Sequence, residues 1–163
     1  MKKGVIDIIE YKDEHKSIFR ELNLEWLDHY NLTESHDLKV LDDPRGTILD
    51  PGGVIYLATN DGKIVGSAAL MKGHDGIYEL VKMGVKKEYR GMGISRLLID
   101  KCLAIARGSK AKKIILFSNH KLKTAIGIYE TYGFRHVEVK DSPFDTADIK
   151  MELDLEEVNR NRN

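Results

Sequence analysis

The sequence predicts a mixed α/β fold with one mostly antiparallel main sheet. With 163 residues, the chain has the length of a single domain, since most domains run to ~100–150 residues. Two β-rich runs in VIYLATNDGKIVGSAALM flank Asn60-Asp61-Gly62, a hairpin signal, and a third run, IYELVKMGV, follows a second turn. Apolar stripes at helical spacing precede and follow this meander. We therefore expect one domain over residues 1–155 and a polar tail over residues 156–163, with an element order that is neither an even βαβ alternation nor an all-β array.

In the first third of the chain, the patterns predict one strand and two helices. Val5 to Ile9 is typical of a strand, and Asp13 is a good N-cap for a helix. Its apolar stripe consists of Ile18, Phe19, Leu22, Trp26 and Tyr30. A second helix is expected from His36 to Leu41, and Asp43-Pro44 ends it. Arg45 to Gly53 is expected to be a loop.

In the last third, two helices alternate with three strands. Ile94 to Arg107 carries an apolar helical stripe. KIILFS, from Lys113 to Ser118, is a short apolar run typical of a buried strand. A further helix follows and closes at Gly133, a predicted C-cap. RHVEV and ADIKMELDL are expected to be the final strands.

Charge and composition argue against several kinds of partner and site. The 26 Lys and Arg residues balance 26 Asp and Glu residues, so no overall positive field attracts nucleic acid or an anionic membrane. No stretch approaches the ~20 apolar residues of a membrane span, and MKKGVIDIIEY does not fit a signal peptide. Cys102 is the only cysteine, which favours a cytoplasmic protein without disulfides. The six histidines show no ligand spacing, so no metal is expected.

One segment, EYRGMGISRLL, combines two glycines, two arginines and the start of a helix. A helix start leaves main-chain N–H groups unpaired and carries the positive end of the helix dipole. A glycine-bearing turn lets an anion reach those N–H groups without meeting a Cβ atom, and Arg90 and Arg96 add positive charge. The segment predicts a diphosphate site, and an ordinary strand-to-helix turn is the structural alternative.

Two common diphosphate loops fit this segment poorly. A Walker A loop requires GxxxxGK[ST], and no lysine follows the glycines. The dinucleotide fingerprint GxGxxG would place its third glycine at Arg96. It also requires an acid after the next strand, where Ser118 and Asn119 stand instead.

A third pattern, [Gln/Arg]-x-x-Gly-x-[Gly/Ala], fits Arg90 to Ser95, with serine as a mild departure at the last position. SNHKLKTAIGIYETYGF adds an asparagine at a strand end and a helix closing in Tyr-Glu-x-x-Gly-Phe, and LVKMGVKKEYRG leads a strand into the loop. In these motifs the sequence resembles the GNAT superfamily of N-acetyltransferases from about residue 4 to 155. The resemblance implies acetyl-CoA as co-substrate, helices on both faces of the sheet, and strands four and five splayed apart.

The resemblance also implies where the cofactor binds. Main-chain N–H groups from Gly91 to Ser95 would hold the pyrophosphate, and the edge from Met83 to Val85 would pair with the pantetheine arm. A main-chain N–H near Gly84 or Val85 would polarise the acetyl carbonyl. Asn119 would bond the arm, and a helix cap is its alternative role. The predicted binding set is Met83, Gly84, Val85, Arg90, Gly91, Met92, Gly93, Ile94, Ser95, Arg96 and Asn119.

Tyr129 and Glu79 are the predicted catalytic residues. A phenol titrates near ~10, close to an alkyl thiol, so Tyr129 could protonate the departing thiolate. A core tyrosine is the alternative, because Tyr129 shares an apolar helical stripe. Glu79 is the candidate base, acting through water, with a structural or substrate-contacting role as its alternative. Strict alternation in IYELVKMGV places it on one face with Val81, Met83 and Val85, unless a bulge turns the strand over.

The predicted function is transfer of an acetyl group from acetyl-CoA to a primary amine of a small molecule, by direct attack with Tyr129 as general acid. A non-catalytic acyl-CoA sensor and a peptide or protein N-terminal acetyltransferase are the alternatives. The acceptor is expected to be selected near Trp26 to Leu41, around Pro44 to Gly53 and in SPFDTAD. No nucleic-acid or membrane partner is expected, and a homodimer is left open.

Overall fold

Seven strands and four α-helices form the part of the chain that the computed structural model describes, residues 4–156. The strands are β1 Ile6–Glu10, β2 Val54–Asn60, β3 Lys63–Lys72, β4 Ile77–Val85, β5 Lys113–Ser118, β6 Arg135–Val137 and β7 Ile149–Asp154. The helices are α1 Lys16–His29, α2 Ser35–Asp42, α3 Ile94–Gly108 and α4 Lys123–Thr131. Of the predicted polar tail over residues 156–163, only Glu156 is described, so the tail stays a prediction.

All seven strands join one sheet in the order β1-β2-β3-β4-β5-β7-β6. Every pair of neighbours is antiparallel except β4 and β5, which are parallel. These two strands pair only from Ile77 to Glu79, against Lys113 to Ile115. Beyond that point they diverge, so the predicted splay between strands four and five is confirmed.

The predicted antiparallel meander is confirmed as β2, β3 and β4. The turn at Asp61 and Gly62 sets the register of β2 against β3, in which Asn60 pairs with Lys63. Asp61 and Gly62 have φ angles of 50° and 83°, as a two-residue hairpin turn with the native strand twist requires. The helix before β6 ends one residue earlier than predicted, because Tyr132 is its C-cap, and Gly133 follows the cap with a φ of 95° that suits glycine.

The two faces of the sheet are covered by different helices. On one face, α1 and α2 enclose a buried cluster that includes Phe19, Leu41 and Ile48. On the other face, α3 and α4 enclose a larger cluster that includes Leu98 and Met151. Because the apolar stripes of the helices cover both faces, the sheet between them is a core layer, and the mixed α/β prediction with helices on both faces is confirmed.

Three local predictions were wrong. Asp13 lies within a short 3-10 turn, Asp13–His15, instead of capping the first helix. Arg45–Leu49, expected to be loop, forms one turn of π-helix that buries Ile48. RHVEV forms a strand only over Arg135–Val137, because β7 pairs with these three residues and no further.

A β-bulge in β4 also overturns the predicted alternation of side chains. The register against β3 shifts between Ser67 and Ala69, and Lys82 has a φ of 51°. Past the bulge the strand turns over, so Val81 packs in the cluster under α1 and α2, whereas Met83 and Val85 pack on the cluster under α3 and α4. The expectation that Glu79, Val81, Met83 and Val85 share one face was therefore wrong.

Buried hydrogen bonds hold the bulge in place. Ser67 Oγ donates to the carbonyl of Lys82 at 2.7 Å. The Asn23 side-chain amide of α1 donates to Ser67 Oγ at 3.1 Å and to the carbonyl of Phe19 at 2.9 Å. The left-handed conformation of Lys82 is thus stabilised by Ser67 of β3, which is in turn bonded to Asn23 of α1. No turn-forming residue near Lys82 in the sequence is involved.

Candidate active site

A cavity of about 600 Å³ opens where β4 and β5 diverge. The loop between β4 and α3 lines one end of it, and the C-terminal part of α1 lines the other. Glu79, Met83 and Tyr129 also line the cavity. The splay of the sheet therefore joins the predicted diphosphate loop and both predicted catalytic residues in one continuous space.

The glycine loop has the geometry that a main-chain anion site needs. Gly91 and Gly93 have φ angles of 82° and 79°, and Gly93 is the N-cap of α3. A Cβ atom built on either glycine meets no other atom within 4 Å, so the space above the loop is open. Within residues 4–156, no main-chain acceptor takes the N–H groups of Gly91, Met92 or Gly93. With the unpaired N–H groups of the first helical turn, the loop offers a row of free donors.

The two arginines of the loop are engaged in local contacts. Arg90 Nε donates to the carbonyl of Val85 at 3.0 Å, which ties the loop to the end of β4. Arg96 Nη1 donates to Thr131 Oγ1 at 3.2 Å, and its guanidinium lies 5.8 Å from the centre of the Tyr132 ring. Both side chains are exposed, so they add positive charge near the loop while its main chain carries the directed donors.

The second half of β4 presents a strand edge to the cavity. Pairing with β5 stops at Glu79, so the edge from Met83 to Val85 lines the cavity with no paired neighbour on that side among the described strands. A Cβ atom on Gly84 would come within 2.5 Å of Trp26 Nε1. Only glycine therefore allows α1 to pack this closely against the edge.

Tyr129 is buried in α4, with 7% of its surface exposed. Its hydroxyl lies 3.8 Å from the sulfur of Met83, a weak acceptor, at the cavity wall. Loss of hydration raises the pKa of Tyr129 above its usual value near 10. The phenol is therefore protonated at neutral pH and has a proton to donate into the cavity.

Glu79 lies on the opposite face of the sheet from Tyr129. It stands opposite Met71 of β3, which packs on the cluster under α1 and α2. Burial raises the pKa of Glu79 to about 7, and the charges of Lys82 and Lys150 oppose that rise only in part. Since a carboxyl with this pKa gains and loses a proton near neutral pH, it suits a general base.

Asn119 follows β5 and is already bonded on both sides of its amide. Its Nδ2 donates to the carbonyl of Thr146 at 2.7 Å, and its Oδ1 accepts from the main-chain N–H of Lys121 at 3.0 Å. These bonds connect the end of β5 to the loop before β7, and they do not cap the next helix as the alternative expected, since the N-cap of α4 is Leu122. Its contact with a cofactor stays a prediction.

Sequence reasoning missed a buried ion pair at the other end of the cavity. Lys82 Nζ contacts Asp37 Oδ1 of α2, with the two side chains 4% and 2% exposed. The other oxygen of Asp37 accepts the main-chain N–H of Glu34 at 2.9 Å, and Lys82 Nζ lies 5.3 Å from the centre of the Phe144 ring. The available signal was a lysine in the middle of an apolar strand run, IYELVKMGV.

The loop before β7 is held over this end by Glu34. The carboxylate accepts the main-chain N–H groups of Asp145 at 2.8 Å and Thr146 at 3.1 Å, and also the hydroxyl of Thr146. Burial alone would raise the pKa of Glu34, but these hydrogen bonds lower it below its usual value. The carboxylate is thus ionised at neutral pH and fixes the wall that carries Phe144.

Residues 4–156 contain neither a cluster of metal-ligating side chains nor a helix that could span a membrane. No group of three or more His, Cys, Asp or Glu side chains in that range has the arrangement of a metal site. None of the described helices combines the length and the apolar character needed to cross a bilayer. A cytoplasmic location and a homodimer stay predictions.

Comparison with known proteins identifies the family to which the chain is similar. The sequence profile described as "Acetyltransferase (GNAT) family" matches residues 15–134. The chain is 37% identical over 90 residues to the N-acetylaspartate synthetase of Xenopus tropicalis, which covers 55% of this chain and 33% of that protein. It is 35% identical over 105 residues to an uncharacterised N-acetyltransferase of Mycobacterium tuberculosis, which covers 64% of this chain and 63% of that one. The chain thus spans between a third and two thirds of the length of these relatives.

Solved structures extend the likeness to nearly the whole chain. A GNAT-family acetyltransferase of Staphylococcus aureus has a TM-score of 0.86 and 28% identity, over 93% of this chain and 99% of that one. The PaiA N-acetyltransferase of Thermoplasma acidophilum, solved in complex with coenzyme A, has a TM-score of 0.72 and 16% identity, over 92% and 99% of the two chains. At that identity the second likeness concerns the fold alone.

Proposed function

The chain belongs to the GNAT acetyltransferase family, and on that premise we propose that it transfers an acetyl group from acetyl-CoA to a primary amine of a small molecule. The observation that carries the proposal is the cavity between β4 and β5. It connects a loop of free main-chain donors to a protonated phenol on one side of the sheet and a carboxyl of raised pKa on the other.

The residues present fit acetyl-CoA. The glycines at 91 and 93 leave open space above the donors of the loop, which suits a pyrophosphate. The free edge from Met83 to Val85 suits the amides of a pantetheine arm, which can add to a sheet edge as a strand does. The bound co-substrate would supply an acetyl group activated as a thioester.

Glu79 is proposed to remove the proton of the acceptor. An alkyl ammonium has a pKa of about 10, so the amine is mostly protonated at neutral pH and has no lone pair for attack. The ionised carboxylate of Glu79 attracts the ammonium and takes a proton from it, directly or through water. General bases of this kind contribute typically ~10²–10⁴-fold in rate.

Tyr129 is proposed to complete the reaction as general acid. As the amine nitrogen bonds to the acetyl carbon, it releases its second proton to water, the carbon–sulfur bond breaks, and the electron pair of that bond remains on sulfur. The Tyr129 hydroxyl donates its proton to that sulfur, and the phenolate then regains a proton from solvent. The weak contact with Met83 leaves the hydroxyl proton available for this step.

The test combines calorimetry with a thiol-release assay. We expect coenzyme A to bind at micromolar to low millimolar levels, and acetyl-CoA to release free thiol only when an acceptor amine is added. The amine panel should contain aralkylamines, polyamines, amino acids and a peptide with a free N-terminus. No measurable binding of coenzyme A would refute the site, and binding without amine-dependent thiol release would favour the sensor. Turnover with the peptide alone would favour the N-terminal acetyltransferase.

A further inference from the structure

The acceptor end of the cavity is mainly apolar. Its walls come from α1, from the segment after it and from the loop before β7. The apolar lining residues of these segments are Trp26, Leu27, Tyr30, Leu32, Phe144 and Ala147, and Thr146 is polar. Three ionisable side chains also reach this end, namely Asp37, Glu79 and Lys82. An acceptor that binds here loses its hydration, so each charge it carries needs an opposite charge in the cavity. The charges of these three groups that have no partner therefore determine which acceptors can bind.

The charge of Lys82 is already neutralised. Its ammonium contacts Asp37, and both side chains are more than nine-tenths buried. Asp37 is fully used as well, since its second oxygen accepts the N–H of Glu34. The pair adds no net charge to the cavity, so it offers no free cation to an incoming anion.

The other cations of the cavity lie away from this end or on its rim. Arg90 and Arg96 belong to the glycine loop, and both are exposed. Lys121 and Lys123 are exposed residues beside α4, and Lys121 Nζ donates to the carbonyl of Tyr30 at 3.2 Å. Lys82 is therefore the only buried cation among the described residues that line the cavity.

Glu79 adds a negative charge that has no matching cation. Within residues 4–156 it forms no ion pair. Of the two lysines whose charge acts on it, Lys82 is taken by Asp37 and Lys150 does not line the cavity. An acceptor ammonium would supply the missing positive charge. A carboxylate next to the amine would instead bring a second unmatched negative charge into an apolar space, which is costly.

We propose that the acceptor is an apolar primary amine without a carboxylate beside its amino group, an aralkylamine in preference to an α-amino acid. The inference rests on the proposed function and narrows it. The aromatic wall of Trp26, Tyr30 and Phe144 takes the apolar part of the molecule, and Glu79 takes the ammonium. Because Lys82 is already paired with Asp37, a carboxylate on the acceptor would find no free cation at this end.

The test compares acceptors of one carbon skeleton in the thiol-release assay. Phenylalaninol and phenylalanine differ in having a hydroxymethyl group or a carboxylate next to the amine, and 2-phenylethylamine has neither. We expect kcat/KM for phenylalaninol and 2-phenylethylamine to exceed that for phenylalanine by at least about 30-fold, since an unpaired buried charge costs several kcal/mol. Equal or higher kcat/KM for phenylalanine would overturn the inference and leave the proposed function standing. Absence of turnover with every amine of the wider panel would refute both.

A variant tests the cause of the selectivity. Asp37→Asn keeps an acceptor for the N–H of Glu34 and frees the charge of Lys82, so the ratio of kcat/KM for phenylalanine over phenylalaninol should rise at least about tenfold. Asp42→Asn, at an exposed carboxylate of the same helix, should leave that ratio unchanged. If Asp37→Asn melts too low for kinetics, the wild-type comparison of phenylalaninol with phenylalanine decides. If the wild type prefers phenylalanine and Lys121→Met abolishes that preference, the carboxylate of phenylalanine binds Lys121 at the rim. That result would contradict the inference.

Discussion

Burial beside the cavity removes hydration from both Glu79 and Tyr129, for which we propose opposite roles. Burial disfavours the charged form of both groups. For the carboxyl this moves the pKa up to about 7, where the group exchanges a proton at neutral pH. For the phenol it moves the pKa further above its usual value, so the group keeps its proton at neutral pH. Burial thus explains the raised pKa of both the proposed base and the proposed acid.

The role of Tyr129 can be tested by removing only its hydroxyl. Tyr129→Phe should lower kcat on the order of 10²-fold and change the Kd of coenzyme A less than about threefold, because the ring still fills its place beside Phe134. Tyr132→Phe is the matched control, since its hydroxyl bonds to Asp100 at 2.7 Å and lies outside the cavity lining. Equal losses in kcat and in affinity for Tyr129→Phe would contradict the acid role.

Glu79→Gln should separate activity from stability. The variant lacks the base, so the ratio of wild-type to variant kcat/KM should be largest above pH 7 and fall towards one as acid protonates Glu79 in the wild type. A ratio that stays constant from pH 5.5 to 8.5 would exclude Glu79 as the base.

The same pKa predicts the opposite trend for folding. The pKa of Glu79 is higher in the folded chain than its ordinary 4.5, so ionisation lowers the free energy of unfolding progressively as the pH rises from about 4.5 to 7. Glu79→Gln should therefore raise the melting temperature on the order of 5 °C at pH 8 and leave it nearly unchanged at pH 4.5. Glu25→Gln, at an exposed position of α1, should show no such dependence on pH.

At the scale of elements, the loop between β4 and α3 can be tested with a glycine from elsewhere in the chain. Gly93→Ala should cost ~1 kcal/mol of unfolding free energy for the left-handed conformation and weaken coenzyme A binding at least about tenfold. Gly62 has a nearly equal φ of 83° and equally open space in the β2–β3 turn. Gly62→Ala should therefore lose similar stability in urea titrations and keep its coenzyme A affinity. Similar affinity losses in both variants would show that strain, and not the site, is responsible.

The loop was predictable from the sequence because its signal is local. Two glycines at a helix start mean positive φ angles and free donors wherever the segment lies, and the structure has both at Gly91 and Gly93. The sequence could not predict that the bulge lies at Lys82, since lysine does not favour a left-handed conformation. Its conformation is stabilised by Ser67 and Asn23, which lie 15 and 59 residues away along the chain.

The same distinction separates the two kinds of charged residue in the site. Glu79 was identified because a carboxylate in an apolar strand needs a special environment. An aspartate on an amphipathic helix is usually exposed to solvent, so the sequence does not indicate that Asp37 is buried. Its burial depends on the contact with Lys82, which lies 45 residues away along the chain. Only the tertiary packing of α2 against the bulge brings this pair together.

At the scale of the whole molecule, polar contacts among four distant segments support the acceptor end. The pair of Asp37 and Lys82 joins α2 to β4, Glu34 joins α2 to the loop before β7, and Asn119 joins that loop to the end of β5. No one of these segments forms the wall by itself. The shape of this end, and with it the choice of acceptor, therefore depends on polar contacts that exist only in the folded chain.

A double-mutant cycle measures how far the buried pair is coupled. Asp37→Asn or Lys82→Met alone should lower the free energy of unfolding by about 3–5 kcal/mol, because each leaves one buried charge without its partner. The double variant should lose less than the sum of the single losses by at least ~2 kcal/mol, because it removes both charges together. The control cycle is Arg20→Met with Asp42→Asn, a pair whose side chains are 44% and 61% exposed and whose coupling should stay below ~1 kcal/mol. All variants are compared by urea unfolding at pH 7, and additive losses at Asp37 and Lys82 would mean that the pair does not hold α2 against the bulge.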